Sequence, residues 1–240
     1  QGDFGISLSL NAPIAPIIFG RLEKSIILAF VALGLAVPVS ILLGTLAAVY
    51  RGTLYDRIIT SSVVLFFALP EYVLALAFIL IFAVGLELLP GSSLVAPNTS
   101  ILENPSALIL PVSVISIHML AYLSQINRAS MIDALDAGYV RTAVLKGLPS
   151  RLVIVKHALR NAMLPTLVEI GLNFGYTLGG LVIVETVFSY AGIGQLLVLS
   201  VQTRDVPTIQ ATVLIVAAAY GIGSLLADVF SILLNPKLRS

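Results

Sequence analysis

SIILAFVALGLAVPVSILLGTLAAV, residues 25–49, is a run without one charged side chain. At about 1.5 Å of rise per helical residue, it is long enough to cross the ~30 Å hydrocarbon core of a bilayer. Its apolar residues are continuous rather than alternating, which favours a helix that satisfies its own backbone hydrogen bonds. Pro38 lies in the middle of the run and predicts a kink. The stretch therefore predicts a transmembrane α-helix.

The composition extends this prediction to the whole chain. Of its 240 residues, 58% are hydrophobic and 10% are charged, and the mean hydropathy is +1.06. These values exclude a soluble domain around one buried core and predict an all-α, polytopic transmembrane helical bundle. The sequence contains no cysteine, which excludes disulfides, thiolate metal sites and cysteine nucleophiles.

The apolar runs divide the chain into five predicted spans. Segment 1–24 is rich in turn residues, so it is predicted to be a periplasmic or interfacial lead-in. Residues 25–240 then form one transmembrane domain. Its spans are predicted at about 25–49, 58–86, 107–125, 163–188 and 209–234.

The positions of Lys and Arg predict the orientation, because cytoplasmic loops carry an excess of both residues. If the loops 50–57 and 126–160 and the tail 235–240 share one side, that side holds ten of the 13 Lys and Arg residues. The long loop and the C-terminus are therefore predicted to lie in the cytoplasm, and the N-terminus outside.

The long cytoplasmic loop, 126–162, has a pattern of its own. Ala and Leu are frequent, charges recur every four or five residues, and Gly147-Leu148-Pro149-Ser150 interrupts the run. This predicts helix, turn, helix, with Gly147 at the C′ position, where φ is positive, and Pro149 opening the next element. The charges allow two interpretations: a helix shaped to enter a groove on another protein, or simple anchoring of the loop by positive-inside charges.

Several segments resemble the inner-membrane permeases of ABC importers for dipeptides, oligopeptides and nickel, and the resemblance covers nearly the whole chain. It is carried by QGDFGIS (1–7), YVRTAVLKGL (139–148), KHALRNAMLP (156–165), GGLVIVETVF (179–188), AGIGQLL (191–197), RDVP (204–207) and NPK (235–237). Such permeases have the type I importer fold with six spans. The resemblance therefore implies that this sequence supplies the last five.

In that family a cytoplasmic Glu-Ala-Ala triplet, with a Gly four residues after its last Ala, forms the coupling helix that docks on the ATPase subunit. Here Arg141-Thr142-Ala143 stands at the triplet and Gly147 keeps its place, while the downstream Leu-Pro falls at 164–165. These departures are similar to the peptide-transporter variant of the motif. The resemblance implies that the ATPase-coupling residues are Tyr139, Arg141, Thr142, Ala143, Lys146, Gly147 and Leu148.

The resemblance also implies a permease subunit rather than an enzyme. With a second homologous permease, it would form a path through a bacterial or archaeal inner membrane for di- or oligopeptides delivered by an extracytoplasmic binding protein. Two partner ATPases would bind ATP and Mg²⁺, so this chain would hold no cofactor or metal and would bind lipid but no nucleic acid. The sequence agrees, because it has no Walker A motif. Nickel or another small solute is the alternative cargo.

Ionisable and small residues inside the spans are candidates for the translocation path. An ionisable side chain near the middle of a span is costly and usually faces a partner or a watery cavity. Glycines recurring every four residues let another helix approach closely, in ordinary packing or at the path. The candidates are Glu71, Glu185, Gly171, Gly175 and Gly179.

Two other functions remain open. A secondary transporter would need buried charge relays beside broken helices, for which Glu71 and Asp228 are slight support. A purely structural membrane subunit would have no reason for a helix and glycine turn in its longest loop. His118 is predicted to pack inside its span rather than to bind nickel, because no second ligand lies at ligand spacing.

Overall fold

The computed structural model describes residues 4–94 and 104–234, and for 172–180, 226–228 and 230–234 the description covers the backbone alone. Within these residues the regular elements are all helical, which confirms the all-α prediction. They are α1 (Ile14–Val49), α2 (Leu54–Ala68), α3 (Glu71–Phe78, continued by a π-helical turn, Ile79–Gly85), α4 (Ser106–Asp136), α5 (Gly138–Leu145), α6 (Ser150–Leu152, continued by a π-helical turn, Val153–Leu159), α7 (Arg160–Val187), α8 (Ile193–Gln202) and α9 (Val206–Leu234).

The described residues contain three helices long and apolar enough to cross a membrane: α1, α4 and the Val206–Leu225 part of α9. A fourth is counted if α2 and α3, with its π-helical turn, together form one broken span. The predicted fourth span, 163–188, falls in α7, where residues 172–180 are described by their backbone alone. The predicted number of five spans is therefore not confirmed.

The second predicted span, 58–86, is not the continuous helix that the apolar run predicts. It is broken between α2 and α3 at Pro70, whose φ of −59° and ψ of 141° are extended rather than helical. Proline has no N–H for the helical ladder, and it disfavours the helical conformation of the residue before it. The Pro70 carbonyl accepts hydrogen bonds from the N–H groups of Val73 (2.9 Å) and Leu74 (3.2 Å), so α3 starts afresh there.

The chain forms two compact units. Unit 1 comprises Gln1–Leu33, Leu69–Ser116 and Phe174–Ser224, and unit 2 comprises Gly34–Ala68, Ile117–Asn173 and Leu225–Ser240. In unit 1, the start of α1 packs on α8 and α9 through one apolar cluster. Its buried members are Ile14, Ile18, Ile193, Leu196 and Ala211. Helix α1 begins at Ile14. It thus includes residues 14–24 of the segment that is predicted to be a lead-in.

Asp205 fastens the N-terminal turn of unit 1 to the start of α9. Its Oδ2 accepts hydrogen bonds from the hydroxyls of Ser7 and Ser9, and its Oδ1 accepts one from the backbone N–H of Thr208, the N-cap pattern of a helix start. Burial alone would raise the pKa of the Asp205 carboxyl, but hydrogen bonds from Ser7, Thr208 and Ser9 hold it well below its usual range.

In unit 2, the end of α1 packs closely on α4. A Cβ built at Gly44 would lie 2.6 Å from the Ser124 carbonyl oxygen and 2.8 Å from Nδ2 of Asn127, so only glycine permits this approach. The buried Asn127 amide donates hydrogen bonds to the Ile41 carbonyl (2.9 Å) and to the Thr45 hydroxyl (3.2 Å). These bonds fix the end of α1 against α4, the helix that leads into α5.

Candidate functional site

The helix and glycine turn of the long loop form as the sequence predicts. Helix α5 ends at Leu145, and Gly147 follows with φ +75°. The Gly147 N–H donates to the Val144 carbonyl (2.9 Å), and the Leu148 N–H donates to the Ala143 carbonyl (3.3 Å). This pair of bonds is the Schellman motif, which satisfies the last carbonyls of the helix. The predicted C′ position of Gly147 is confirmed.

Pro149 is the N-cap of the next helical element, as predicted. Its φ is −63° and its ψ is 140°, and helix α6 starts at Ser150. The turn between α5 and α6 is therefore short and built from backbone hydrogen bonds. A short turn of this kind holds α5 in one orientation relative to the helix that follows.

Helix α5 has one buried and one exposed face. Val140 (4% exposed) and Ala143 (5%) pack into the apolar cluster of unit 2. Outside this buried face, the exposed fractions are 44% for Tyr139, 58% for Val144 and 80% for Leu145. Large apolar side chains this exposed are available to a partner.

This geometry changes the predicted set of contact residues. Ala143, predicted to be in the ATPase contact, points inward and serves to pack α5, because alanine is small enough for the helix to lie close to unit 2. Leu148 is half-buried against the same cluster. Arg141, Thr142 and Lys146 are exposed, as a contact requires.

The apolar cluster beneath α5 joins four elements of unit 2. It holds the end of α1, the end of α4, helix α5 and the start of the helical run that becomes α7. Its buried members are Ala48, Met131, Ala134, Val140, Ala143, Val153, Ala158 and Ala162. A force applied to α5 would therefore reach several helices at once, because close-packed side chains transmit displacement.

Two ion pairs tie the α1–α2 loop and the first turn of α2 to α4. Asp56 accepts hydrogen bonds from Nε and Nη2 of Arg128, at 2.8 and 2.9 Å, and from the N–H of Gly52 at 2.9 Å. The Asp56 side chain is 8% exposed and that of Arg128 is 28% exposed. The second pair, Arg51 with Asp136 at 3.3 Å, is largely exposed. The loop therefore lies beside the end of α4, which leads directly into α5.

Of the predicted path residues, Glu71 lies on α3 and the other four lie on α7. Glu71 is half-buried in the first turn of α3, after the break at Pro70, rather than in the middle of a continuous span. Gly171 is half-buried in α7. Gly175 and Gly179 belong to the same helix, but their surroundings lie outside the described residues. The described side chains therefore do not place these candidates around one cavity.

Among the predicted path residues, Glu185 has the most completely described surroundings. Its contacts join α7 to the start of α8. Its carboxylate is fully buried and accepts hydrogen bonds from the Ser25 hydroxyl and from the N–H groups of Gly194 (2.7 Å) and Gln195 (3.1 Å). It thus satisfies free N–H groups in the first turn of α8, where a carboxylate is favourable. A Cβ at Gly192 would collide with this carboxylate. Glycine is therefore required there.

His118 packs as predicted, with its ring stacked on Phe67 at a centroid distance of 5.3 Å. Within residues 4–94 and 104–234 there is no group of three or more His, Cys, Asp or Glu side chains placed to hold a metal ion. The aromatic stack extends to Tyr122, whose ring centroid lies 6.1 Å from that of Phe67. The rings of His118 and Tyr122 thus both pack against Phe67 of α2 within unit 2.

The comparisons with known proteins agree with this arrangement. Residues 40–240 match the family described as "Binding-protein-dependent transport system inner membrane component". The chain belongs to this family. As an inner membrane component of such a transport system, it is a membrane protein, and its several apolar helices fit a chain that crosses the bilayer more than once.

Individual relatives of this inner membrane component carry more specific names. It is 36% identical over 239 residues to the glutathione transport system permease protein GsiC of Escherichia coli (strain K12), covering 100% of this chain and 76% of GsiC. It is 34% identical, with the same coverage, to "Probable peptide ABC transporter permease protein y4tP" of Sinorhizobium fredii. The solved structure "Crystal structure of an amino acid ABC transporter with histidines" aligns over 90% of this chain and 94% of that one, with a TM-score of 0.66. Because the identity is 20%, this likeness shows a shared fold.

Two features of this inner membrane component are not predicted from its sequence. The exposure of Val144 and Leu145 depends on which face of α5 is buried, and eight residues of mixed character do not decide that. The anchoring role of Glu185 depends on α8 folding back over it. The signal for it in the sequence is the pair Gly192 and Gly194, since two glycines at a helix start indicate a close approach of other atoms.

Proposed function

We propose that this chain is the permease subunit of a peptide-importing ABC transporter. With a second, homologous permease it forms the path for peptides that an extracytoplasmic binding protein delivers, and two partner ATPases supply the energy. The names of its relatives, which are peptide and glutathione permeases at 34% and 36% identity, support this class of cargo. The dependence on a binding protein follows the description of the family.

The exposed residues of α5 are the main support for this function. Tyr139, Val144 and Leu145 present apolar surface beside the charges of Arg141 and Lys146. The opposite face of the helix is locked into unit 2 and its end is closed by the Schellman turn. A short helix held on one side and free on the other suits insertion into a cleft, which is the helix-in-groove mode of recognition. We infer that the cleft belongs to the ATPase subunit.

This role fixes the orientation of the chain. The loop 126–162 and the C-terminus lie in the cytoplasm, where ATP is available, in agreement with the excess of Lys and Arg in the predicted cytoplasmic segments. ATP is bound and hydrolysed by the partners, since the chain has no Walker A motif. Closure of the ATPases would move α5 and, through the shared cluster, the helices of unit 2.

For the path itself we retain Glu71 and the glycines of α7, Gly171, Gly175 and Gly179, as the proposed lining or permease-facing residues. Glu185 is omitted from this set. Its carboxylate is enclosed in unit 1 and bonded to Ser25 and the start of α8, which leaves it no free oxygen surface for a solute.

The ATPase contact is tested by charging its most exposed apolar side chain. Leu145→Asp, at a position that is 80% exposed, should abolish co-purification of the ATPase with the tagged permease, because a carboxylate cannot be buried unpaired in an apolar cleft. The matched control is Leu94→Asp, which changes the same residue type at 72% exposure in unit 1. The control should keep the ATPase. Equal ATPase recovery with both variants would contradict the α5 contact.

A further inference from the structure

A group of aromatic and polar side chains from three helices lies within unit 2. His118 and Tyr122 are one turn apart near the middle of α4, a helix long and apolar enough to cross a membrane. Phe67 belongs to the last turn of α2, just before the break at Pro70, and Glu169 belongs to α7. We call the four side chains Phe67, His118, Tyr122 and Glu169 the Glu169 cluster.

Contacts within the Glu169 cluster hold a carboxylate beside aromatic rings. The Tyr122 hydroxyl donates a hydrogen bond to Oε2 of Glu169 at 3.1 Å. The Phe67 ring stacks on the rings of His118 and Tyr122, at centroid distances of 5.3 and 6.1 Å. Tyr122 therefore joins the two parts of the cluster, because its ring packs on Phe67 while its hydroxyl orients the carboxylate.

The Glu169 cluster is partly open to its surroundings. Phe67 is 44% exposed, and His118, Tyr122 and Glu169 are half-buried. Ionisable side chains within membrane-crossing helices almost always face a watery cavity or another protein rather than lipid. We therefore expect the half-buried carboxylate of Glu169 to face a space that a solute or a second protein can enter.

The hydrogen bonds of the cluster also differ from those of a purely structural contact. Nδ1 of His118 is buried and has no hydrogen-bond partner among the residues that the structure describes. A polar network that only holds helices together normally satisfies all its members, because an unpaired buried polar atom is unfavourable. Glu185 provides the contrast, since its enclosed carboxylate is bonded to the Ser25 hydroxyl and to two backbone N–H groups. The Glu169 cluster therefore has features of a binding site rather than of a helix anchor.

The chemistry of the Glu169 cluster fits a protonated amine. A carboxylate attracts a cation and accepts its hydrogen bonds, and the faces of Phe and Tyr rings attract a cation through their quadrupoles. An apolar helix of a partner would instead leave the carboxylate buried without an opposite charge. Peptides with an unblocked N-terminus carry such an ammonium group at neutral pH.

We propose that the Glu169 cluster binds the N-terminal ammonium group of the peptide during its passage through the permease. Glu169 pairs with the ammonium group, Tyr122 orients the carboxylate, and Phe67 contacts the cation with its ring face. The proposal rests on the proposed function for the class of cargo, and it adds a binding site to the path residues named there. All unblocked peptides share this group, so the site does not depend on the sequence of the peptide.

The test measures equilibrium binding of peptides to the assembled transporter without its binding protein. A mixture of tripeptides with free N-termini and the same mixture after N-acetylation are compared by equilibrium dialysis, and bound peptide is quantified by mass spectrometry. Glu169→Gln should weaken binding of the free tripeptides about tenfold, because it removes a charge-assisted contact but keeps an oxygen for the Tyr122 hydroxyl. Binding of the acetylated tripeptides should not change.

Two further variants show whether the effect is specific. Tyr122→Phe keeps the ring and removes only the hydroxyl, so it should weaken binding of the free tripeptides by about threefold. Glu23→Gln makes the same change as Glu169→Gln at an exposed position of unit 1, and it should bind both mixtures like the unaltered complex. Each complex is first checked for a monodisperse state on size exclusion.

Three results would overturn the proposal. The unaltered complex could bind no free tripeptides, or it could bind free and acetylated tripeptides equally. Glu169→Gln could weaken binding of both mixtures to the same extent, which would show that the carboxylate does not recognise the ammonium group. If Glu169→Gln releases the second permease from the complex, the carboxylate faces that subunit and the peptide site is wrong.

Co-purified ATPase, measured on the same samples, separates this proposal from the proposed function. Glu169→Gln leaves α5 unaltered and should keep the ATPase, whereas Leu145→Asp should lose the ATPase and still prefer free over acetylated tripeptides. If Leu145→Asp keeps the ATPase, the α5 contact fails while the ammonium site stands. If Leu145→Asp loses the ATPase and Glu169→Gln binds free tripeptides normally, the ammonium site alone is wrong.

Discussion

Gly147 is the residue at which the sequence predicts the local structure most directly. It lies between a helical pattern and Pro149, and its φ of +75° is a conformation that only glycine adopts without cost. A glycine and a proline three positions or fewer apart are local signals, so one sequence is enough to place the turn. Side-chain burial is not local in this sense. Ala143, which the family motif places in the predicted contact, packs inward because the neighbours of α5 come from parts of unit 2 that are distant in the sequence.

Gly147→Ala isolates the contribution of the left-handed backbone. A Cβ at Gly147 would meet nothing within 4 Å, so its effect comes only from the positive φ. We expect a loss of about 1 kcal/mol in the stability of the turn and a weaker ATPase stimulation by substrate-loaded binding protein. The measurements are the melting temperature of the purified permease and the ATPase rate of the assembled transporter.

Gly138→Ala is the control for this substitution. A Cβ there also meets nothing within 4 Å, but Gly138 starts α5 without a positive φ. Alanine favours helix, so this variant should match or slightly exceed the unaltered melting temperature. If both variants lowered stability and coupling equally, the left-handed turn would have no special role.

At the scale of elements, the sequence predicts where helices exist better than where they break. Continuous apolar runs identify α1, α4 and α9, but the run 58–86 contains a break that only Pro70 signals. Proline inside α1 (Pro38), α4 (Pro111) and α7 (Pro165) leaves those helices continuous. The outcome at a proline depends on whether neighbouring helices satisfy the freed carbonyl, and that is a tertiary property.

The tie between α2 and α4 gives a prediction at this scale. Asp56→Asn should destabilise the permease by about 2 kcal/mol, because it leaves the largely buried Arg128 guanidinium without its bidentate partner. This loss is smaller than the one expected for a fully buried ion pair, because Arg128 is 28% exposed. A double-mutant cycle with Arg128→Gln, read as melting temperatures, measures the coupling.

The exposed pair Arg51 and Asp136 provides the comparison. Its side chains are 59% and 72% exposed, so Asp136→Asn should change stability by less than about 0.5 kcal/mol. A cycle that gave the two pairs the same coupling energy would show that the buried pair does not hold the start of α2 to α4.

At the scale of the whole molecule, composition alone predicts a helical membrane protein, and charge counting predicts the side on which its long loop lies. Composition does not predict a transporter. That conclusion depends on motifs shared with a family, which the match over residues 40–240 establishes. The sequence of this chain does not predict the cargo, because the binding protein that delivers the peptide selects it first.

We propose that α5 couples ATP hydrolysis in partner subunits to peptide import through this chain. This coupling can be measured as uptake of a radiolabelled peptide by proteoliposomes that contain this permease, its partner permease, both ATPases and the binding protein. Uptake should require ATP, be unaffected by an imposed proton gradient, and disappear with Leu145→Asp but not with Leu94→Asp. Uptake that follows the proton gradient without ATP would contradict it.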